Sequence, residues 1–320
     1  MRRNAIAGAV IWCGLLIVAQ VGEIYLTWIE LLFLFAPLVI VPLGLHLTDH
    51  TEGGAPASLP ERLARSIQAP AALVVVASFL FTPGVVAAVL ASAWIMFCGL
   101  LATGGLLRAL RGAHPGLDSI CPVLAFLYSL VGAAWLVASR LGLNPMGFQE
   151  PIVLLTAVHF HYAGFAAALL ARSVARTLAE TSKHALATAL SRIVTAGVLI
   201  GPGMLAMGFV AGPRVKLGAA LILALTEIGL AICFVCAVKH VTRFSAQLLL
   251  TIAAASIAFS MALAAVWAIG EYPLQQFVNL DQMERFHGTA NALGFTLCGL
   301  LGWVLARPSE AQYGALDGTR

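Results

Sequence analysis

The sequence is poor in charge. Of 320 residues, 18 are Lys or Arg and 14 are Asp or Glu, about a tenth of the chain where a water-soluble domain carries about a quarter. So few charges cannot cover a water-facing surface of this size, which excludes a soluble globular enzyme. A hydrophobic content of 61% excludes a disordered chain. The net charge of +4 is too sparse for a nucleic-acid surface, and no nucleic-acid partner is expected. Cysteine is scarce too. All six (Cys13, Cys98, Cys121, Cys233, Cys236 and Cys298) fall in or beside apolar runs, where a free thiol packs as a small hydrophobe. Cys233 and Cys236 form a CxxC with no second pair to complete a zinc site. A P-loop, a dinucleotide fingerprint and a serine nucleophile elbow are all missing, so no cofactor is expected.

What the chain has instead is long apolar runs. A membrane-crossing helix needs about 20 mostly apolar residues. Ten segments qualify: Ala5–Val21, Tyr25–Leu47, Ser66–Phe81, Gly84–Leu107, Ser119–Ser139, Pro151–Ala171, Ala185–Val210, Leu217–Val238, Gln247–Ile269 and Phe286–Ala306. The third is short and only Thr82-Pro83-Gly84 separates it from the fourth, so a re-entrant pair is the alternative to two full spans. Arg2 and Arg3 precede the first run, but no small-residue cleavage site follows, and it reads as a retained span. The expectation is an all-α polytopic bundle forming one membrane domain over 1–307, with a short cytoplasmic tail over 308–320. Gly197, Gly201, Gly208 and Gly212 make a small-residue stripe suited to close helix packing.

Orientation follows from the loops. With both termini in the cytoplasm, 14 of the 18 Lys and Arg residues fall inside, and Arg140, Arg214, Lys216 and Arg285 fall outside. The expected location is the cell inner membrane.

The polar groups inside the apolar runs carry the functional reading, because a charge at the bilayer centre costs about 2.5–3.5 kcal/mol on insertion scales. They are Glu30 in the second run, His159, His161 and Tyr162 in the sixth, Glu227 in the eighth, and His287 with Asn291 in the tenth. Glu23 flanks the first. At about 1.5 Å per residue, Glu30, His159, Glu227 and Asn291 lie roughly 7, 12, 15 and 8 Å below the outer boundary, which predicts one polar layer in the outer half. His159 and His161 are two residues apart and diverge on a regular helix, so they do not chelate one ion unless Gly164 permits an irregularity. No metal site is expected. Each of these residues also has a purely structural reading, as an interhelical hydrogen-bond partner.

Three segments carry a resemblance: Trp28-Ile29-Glu30-Leu31-Leu32-Phe33, Val158-His159-Phe160-His161-Tyr162-Ala163-Gly164-Phe165 and His287-Gly288-Thr289-Ala290-Asn291. They resemble the YndJ-like family of bacterial polytopic membrane proteins. The resemblance implies an all-helical membrane fold, with Glu30, His159, His161, Tyr162, His287 and Asn291 as its polar set. It supplies no substrate and no catalytic roles. His287-x-x-x-Asn291 also resembles one motif of the CPBP-type intramembrane proteases, whose EExxxR motif is absent here.

Three functional readings remain. The first is an intramembrane enzyme performing a redox-neutral cyclisation or isomerisation on a lipophilic small molecule, such as an unsaturated or epoxidised isoprenoid or polyketide. Glu227 or Glu30 would be the acid and His159 the base or relay. His161, Tyr162, His287, Asn291 and Glu23 would contact the substrate. The second is a proton-coupled small-molecule transporter, and the third a metal-binding or assembly protein. The expected partners are the lipophilic substrate and membrane lipid.

Overall fold

The computed structural model describes residues 1–49, 57–111, 116–182, 184–271, 275 and 277–306. The expected tail over 308–320 lies outside the described residues. Within them there is no strand, and the chain folds as ten helical rods. These are α1 (Arg2–Gln20); α2 (Trp28–Phe35) continuing into α3 (Val41–Asp49); α4 (Leu59–Ser78); α5 (Val85–Arg111); α6 (Leu117–Leu141); α7 (Ile152–His159) continuing into α8 (Ala167–Thr181); α9 (Ala185–Ala211); α10 (Pro213–Val238); α11 (Phe244–Glu271); and α12 (Leu280–Gln282) continuing into α13 (Cys298–Ala306). Nine are long and apolar enough to cross a membrane. The tenth is α4.

The start of α4 explains why hydropathy undervalues it. Ser58 and Glu61 form a capping box, in which the Ser58 hydroxyl accepts from the Glu61 N–H and Glu61 Oε2 accepts from the Ser58 N–H at 3.0 Å. The helix thus begins seven residues before the apolar run, with Glu61, Arg62, Arg65 and Gln68 in its first turns. Glu61 is fully buried and ion-paired with Arg108 of α5. The third segment falls largely within a 20-residue helix, Leu59–Ser78.

At the opposite end of α4, Arg140 closes the bundle. The charge distribution places it among the outer-loop residues, but it is only 4% exposed. Its guanidinium donates to the carbonyls of Ser78 (3.1 Å) and Phe81 (2.6 Å) and stands 4.6 Å over the Phe79 ring. A helix C-terminus leaves its last carbonyls without intrahelical donors, and here an arginine from α6 supplies donors at that end. Its own carbonyl accepts from Gly84 N, just ahead of α5.

Three rods depart from α-helical winding. Residues Ala36–Ile40, Phe160–Ala166, Met283–Gly288 and Ala290–Leu297 are π-helical. The three rods that contain them pack against one another at these wide turns. The α2–α3 rod is the most enclosed of the nine apolar rods, with 89% of its apolar window buried, whereas α1 has 17% and lies at the periphery. Around the first π turn, carbonyls take donors from other rods. Trp12 Nε1 donates to Leu31 O (2.7 Å), the Tyr162 hydroxyl to Leu32 O (2.8 Å) and Gln68 Nε2 to Pro37 O (2.9 Å). Gly8 of α1 lies directly on the Leu38 carbonyl, where a Cβ would overlap the backbone. Elsewhere the glycine stripe behaves as its spacing implies, with Gly197, Gly201 and Gly208 of α9 facing Thr226, Leu223 and Lys216 of α10.

Two stability measurements check this arrangement. Gly8→Ala is expected to lower the thermal midpoint in detergent, at a cost of about 1–3 kcal/mol for overpacking. Gly14→Ala in the same helix, where a Cβ meets nothing within 4 Å, is the control and leaves the midpoint unchanged. Arg140→Met strips the Ser78 and Phe81 carbonyls of their donor and is expected to cost about 1–3 kcal/mol.

Candidate functional site

The motif HFHYAGF straddles the junction between α7 and its π turn, and this settles where its two histidines point. His161 turns inward and is fully buried. The Trp94 indole of α5 lies 2.9 Å from its Nε2. An indole N–H can only donate, so Nε2 accepts. The proton is then on Nδ1, which donates to Ala157 O at 2.8 Å. The ring edge meets Phe33 at 5.4 Å, and Gly132 of α6 leaves room for it, since a Cβ there would come within 2.7 Å of Nδ1. Both nitrogens are thus taken. Tyr162 is likewise committed, through its hydroxyl, to Leu32 O of α2.

His159 turns the other way and is exposed. Its Nδ1 lies 2.7 Å from Leu155 O, and a carbonyl can only accept, so Nδ1 carries the proton. Nε2 is left as a lone-pair acceptor with no partner among the described residues. The ring stacks at 28° on His287, 6.4 Å between centroids. His287 is held at both nitrogens, with Nδ1 donating to Ser260 O of α11 (2.9 Å) and Nε2 accepting from Asn291 Nδ2 (3.1 Å). One residue beyond Gly288, Thr289 Oγ1 accepts from Trp28 Nε1 (3.2 Å), which ties the start of α2 to the same place. His159, His287 and Asn291 therefore form one group, with one free imidazole nitrogen. Its neighbours hold the rings in fixed tautomers.

The carboxylates lie elsewhere. Glu30 caps α2, its Oε2 accepting from Thr27 N (2.7 Å) and Thr27 Oγ1 (2.9 Å), while Oε1 stands 3.9 Å from Arg140 Nη1. Glu23 is exposed in the turn between α1 and α2. Glu227 is 2% exposed on α10, with Oε2 unpartnered, and α10 packs against α9, α11 and α8. Among the described residues, no three His, Cys, Asp or Glu side chains come together to hold a metal ion.

Sequence reasoning missed Trp94, Ser260 and Arg140. An indole inside an apolar run and a backbone carbonyl carry no signal of their own. Arg140 gave one, as the single Lys or Arg between Arg111 and Arg172, but reads as a loop charge until its partners are seen.

The same segments tie the chain to known proteins. It is 26% identical over 223 residues, 68% of its own length, to a Bacillus subtilis (strain 168) protein named "Uncharacterized membrane protein YndJ". The match spans about two-fifths (39%) of that relative. No solved structure matches. The family model described as "YndJ-like protein" matches residues 31–295, which takes in the π turns Ala36–Ile40, Phe160–Ala166 and Met283–Gly288, most of Ala290–Leu297, and the histidine group. The chain is a membrane protein that belongs to the YndJ-like family.

Proposed function

We propose that the chain is an intramembrane acid–base enzyme acting on a lipophilic small molecule, with His159 as the proton-transferring group. The observation that carries this reading is the free Nε2 of His159. Its protonated Nδ1 is fixed on Leu155 O, its ring is stacked on His287, and the residue is exposed. A fixed tautomer with one free lone pair is the form in which a histidine serves as a general base. In a redox-neutral isomerisation His159 Nε2 takes a proton from one position of the substrate and returns it at another, so no co-reactant is consumed. His287 and Asn291 hold the ring's face. Glu30 serves the site as a cap whose charge is countered by Arg140, and His161 and Tyr162 hold the π turn in register. The exposure of His159 among apolar surfaces suits a substrate that arrives through the lipid. The Lys and Arg distribution supports an inner-membrane location with this site in the outer half.

A second reading, proton-coupled transport, is favoured by one observation, the buried and unpartnered Glu227. Metabolite profiling separates the two. In a deletion strain complemented with His159→Ala, the enzyme reading expects a precursor to accumulate that has the same mass as the lost product. Turnover should fall about 10²–10⁴-fold, the usual contribution of general acid–base catalysis. Unchanged chemistry with an altered distribution of the compound across the membrane would favour transport.

His161→Phe supplies the contrast. It leaves the Trp94 N–H without an acceptor and is expected to cost about 1–3 kcal/mol in stability, read as a lower thermal midpoint. The protein that remains folded should keep its turnover.

A further inference from the structure

Setting aside the arginines and Glu61, which is ion-paired with Arg108, the buried side chains with an unmatched polar atom among the described residues are Glu227 (Oε2), Thr296 (Oγ1) and Trp303 (Nε1), at 2%, 0% and 6% exposure. A buried unpaired polar group costs about 1–3 kcal/mol, and these three fall on two rods that meet. The Phe234 ring of α10 lies 6.0 Å from Phe295 and 6.3 Å from Trp303 of the last rod. Glu227 shares the Phe234 face of α10, seven residues away, and Thr296 is likewise seven residues from Trp303. Two connections separate these rods in the chain, so they run in the same direction. Counting from Phe234 at about 1.5 Å per residue, Glu227 lies level with Asn291 or Ala292. Thr296 lies roughly 6 Å further toward the Glu61 end, and Trp303 roughly 10 Å beyond that.

The free hydroxyl has a local cause. Thr156, Thr177, Thr181, Thr195, Thr226 and Thr251 all donate to the carbonyl four residues back. Thr296 lies in a π turn, where the winding moves that carbonyl out of line. The mix of groups also selects the occupant. An indole N–H only donates, a hydroxyl donates and accepts, and a carboxyl accepts or releases a proton. An N–H donor opposes a metal cation, and an apolar guest would leave all three unmatched. Water satisfies each of them.

We propose that Glu227, Thr296 and Trp303 line a chain of bound water between α10 and the last rod, through which Glu227 exchanges its proton with solvent at the Glu61 end. The step is a simple transfer: the carboxyl O–H bond breaks toward the adjacent water, and a proton returns along the same chain. This site is independent of His159.

The test is infrared spectroscopy of the purified full-length protein in lipid bilayers. The Glu227 carboxylic C=O band is assigned as the one lost in Glu227→Gln. In wild type it should shift to lower frequency promptly on transfer to D₂O, while amides in the spanning helices remain unexchanged. Thr296→Val and Trp303→Phe, both close in shape to the originals, should slow that shift several-fold, and His159→Ala should leave it unchanged. A wild-type band that stays unshifted for as long as the protected amides, the absence of any band lost in Glu227→Gln, or exchange at the wild-type rate in the Thr296→Val/Trp303→Phe double variant would each overturn the proposal. The first two outcomes require neither Thr296 nor Trp303 variant to fold.

Discussion

A backbone carbonyl inside a bilayer has no water to bond to, and this architecture is organised around that shortage. Regular helices meet it internally. The α2–α3 rod does not, because Pro37 brings no N–H and the winding widens around it. The carbonyls of Leu31, Leu32 and Pro37 are met by Trp12, Tyr162 and Gln68, from three other rods. Each bond supplies a donor near the widened turn while fixing one rod against another. Arg140 repeats the device at the carbonyl end of α4, and His287 ties the last rod to Ser260 O of α11. Rods that are individually greasy cylinders thereby acquire defined registers, in a solvent where apolar contact alone cannot choose between them.

The polar layer that looks like a single site in projection is physically divided. His161 and Tyr162 lie on the structural side of this bookkeeping, with every donor and acceptor engaged. His159 is one residue before the π turn and escapes it. The division follows from the spacing. Residues two apart on a helix point to opposite sides, so His161 faces α5 while His159 meets the last rod. Irregular turns of this kind are often found where function requires a residue that regular packing would have buried or paired.

Much of this was readable from residue types. The lack of charge and the run lengths imply a ten-rod bundle, and the polar residues stranded in apolar runs mark the rods that converge. Glu30, His161 and Tyr162 stood out for the correct physical reason, the cost of placing them in lipid, yet that cost is equally well met by a partner as by a substrate. Which of the two applies depends on a neighbour far along the chain: Trp94 for His161 and Arg140 for Glu30. Hydropathy could not see the first turns of α4, because Glu61 and Arg108 cancel only once both are folded. Thr296 and Trp303 are ordinary residues for a spanning helix. Only the failure of their bonds distinguishes them, and a bond that fails to form leaves no trace in a sequence.

The contact between Gly8 and the Leu38 carbonyl bears on how the protein is made. A nascent chain delivers α1 to the membrane before the rod it packs against exists, and α1 itself buries little. Until Leu31 and Leu38 arrive, the Trp12 indole has no acceptor and the glycine notch has nothing to fit. α1 therefore finds its final place only after the rod that follows it. Its docking on the proline turn depends on the second rod having the rotation that presents the Leu31 and Leu38 carbonyls to it.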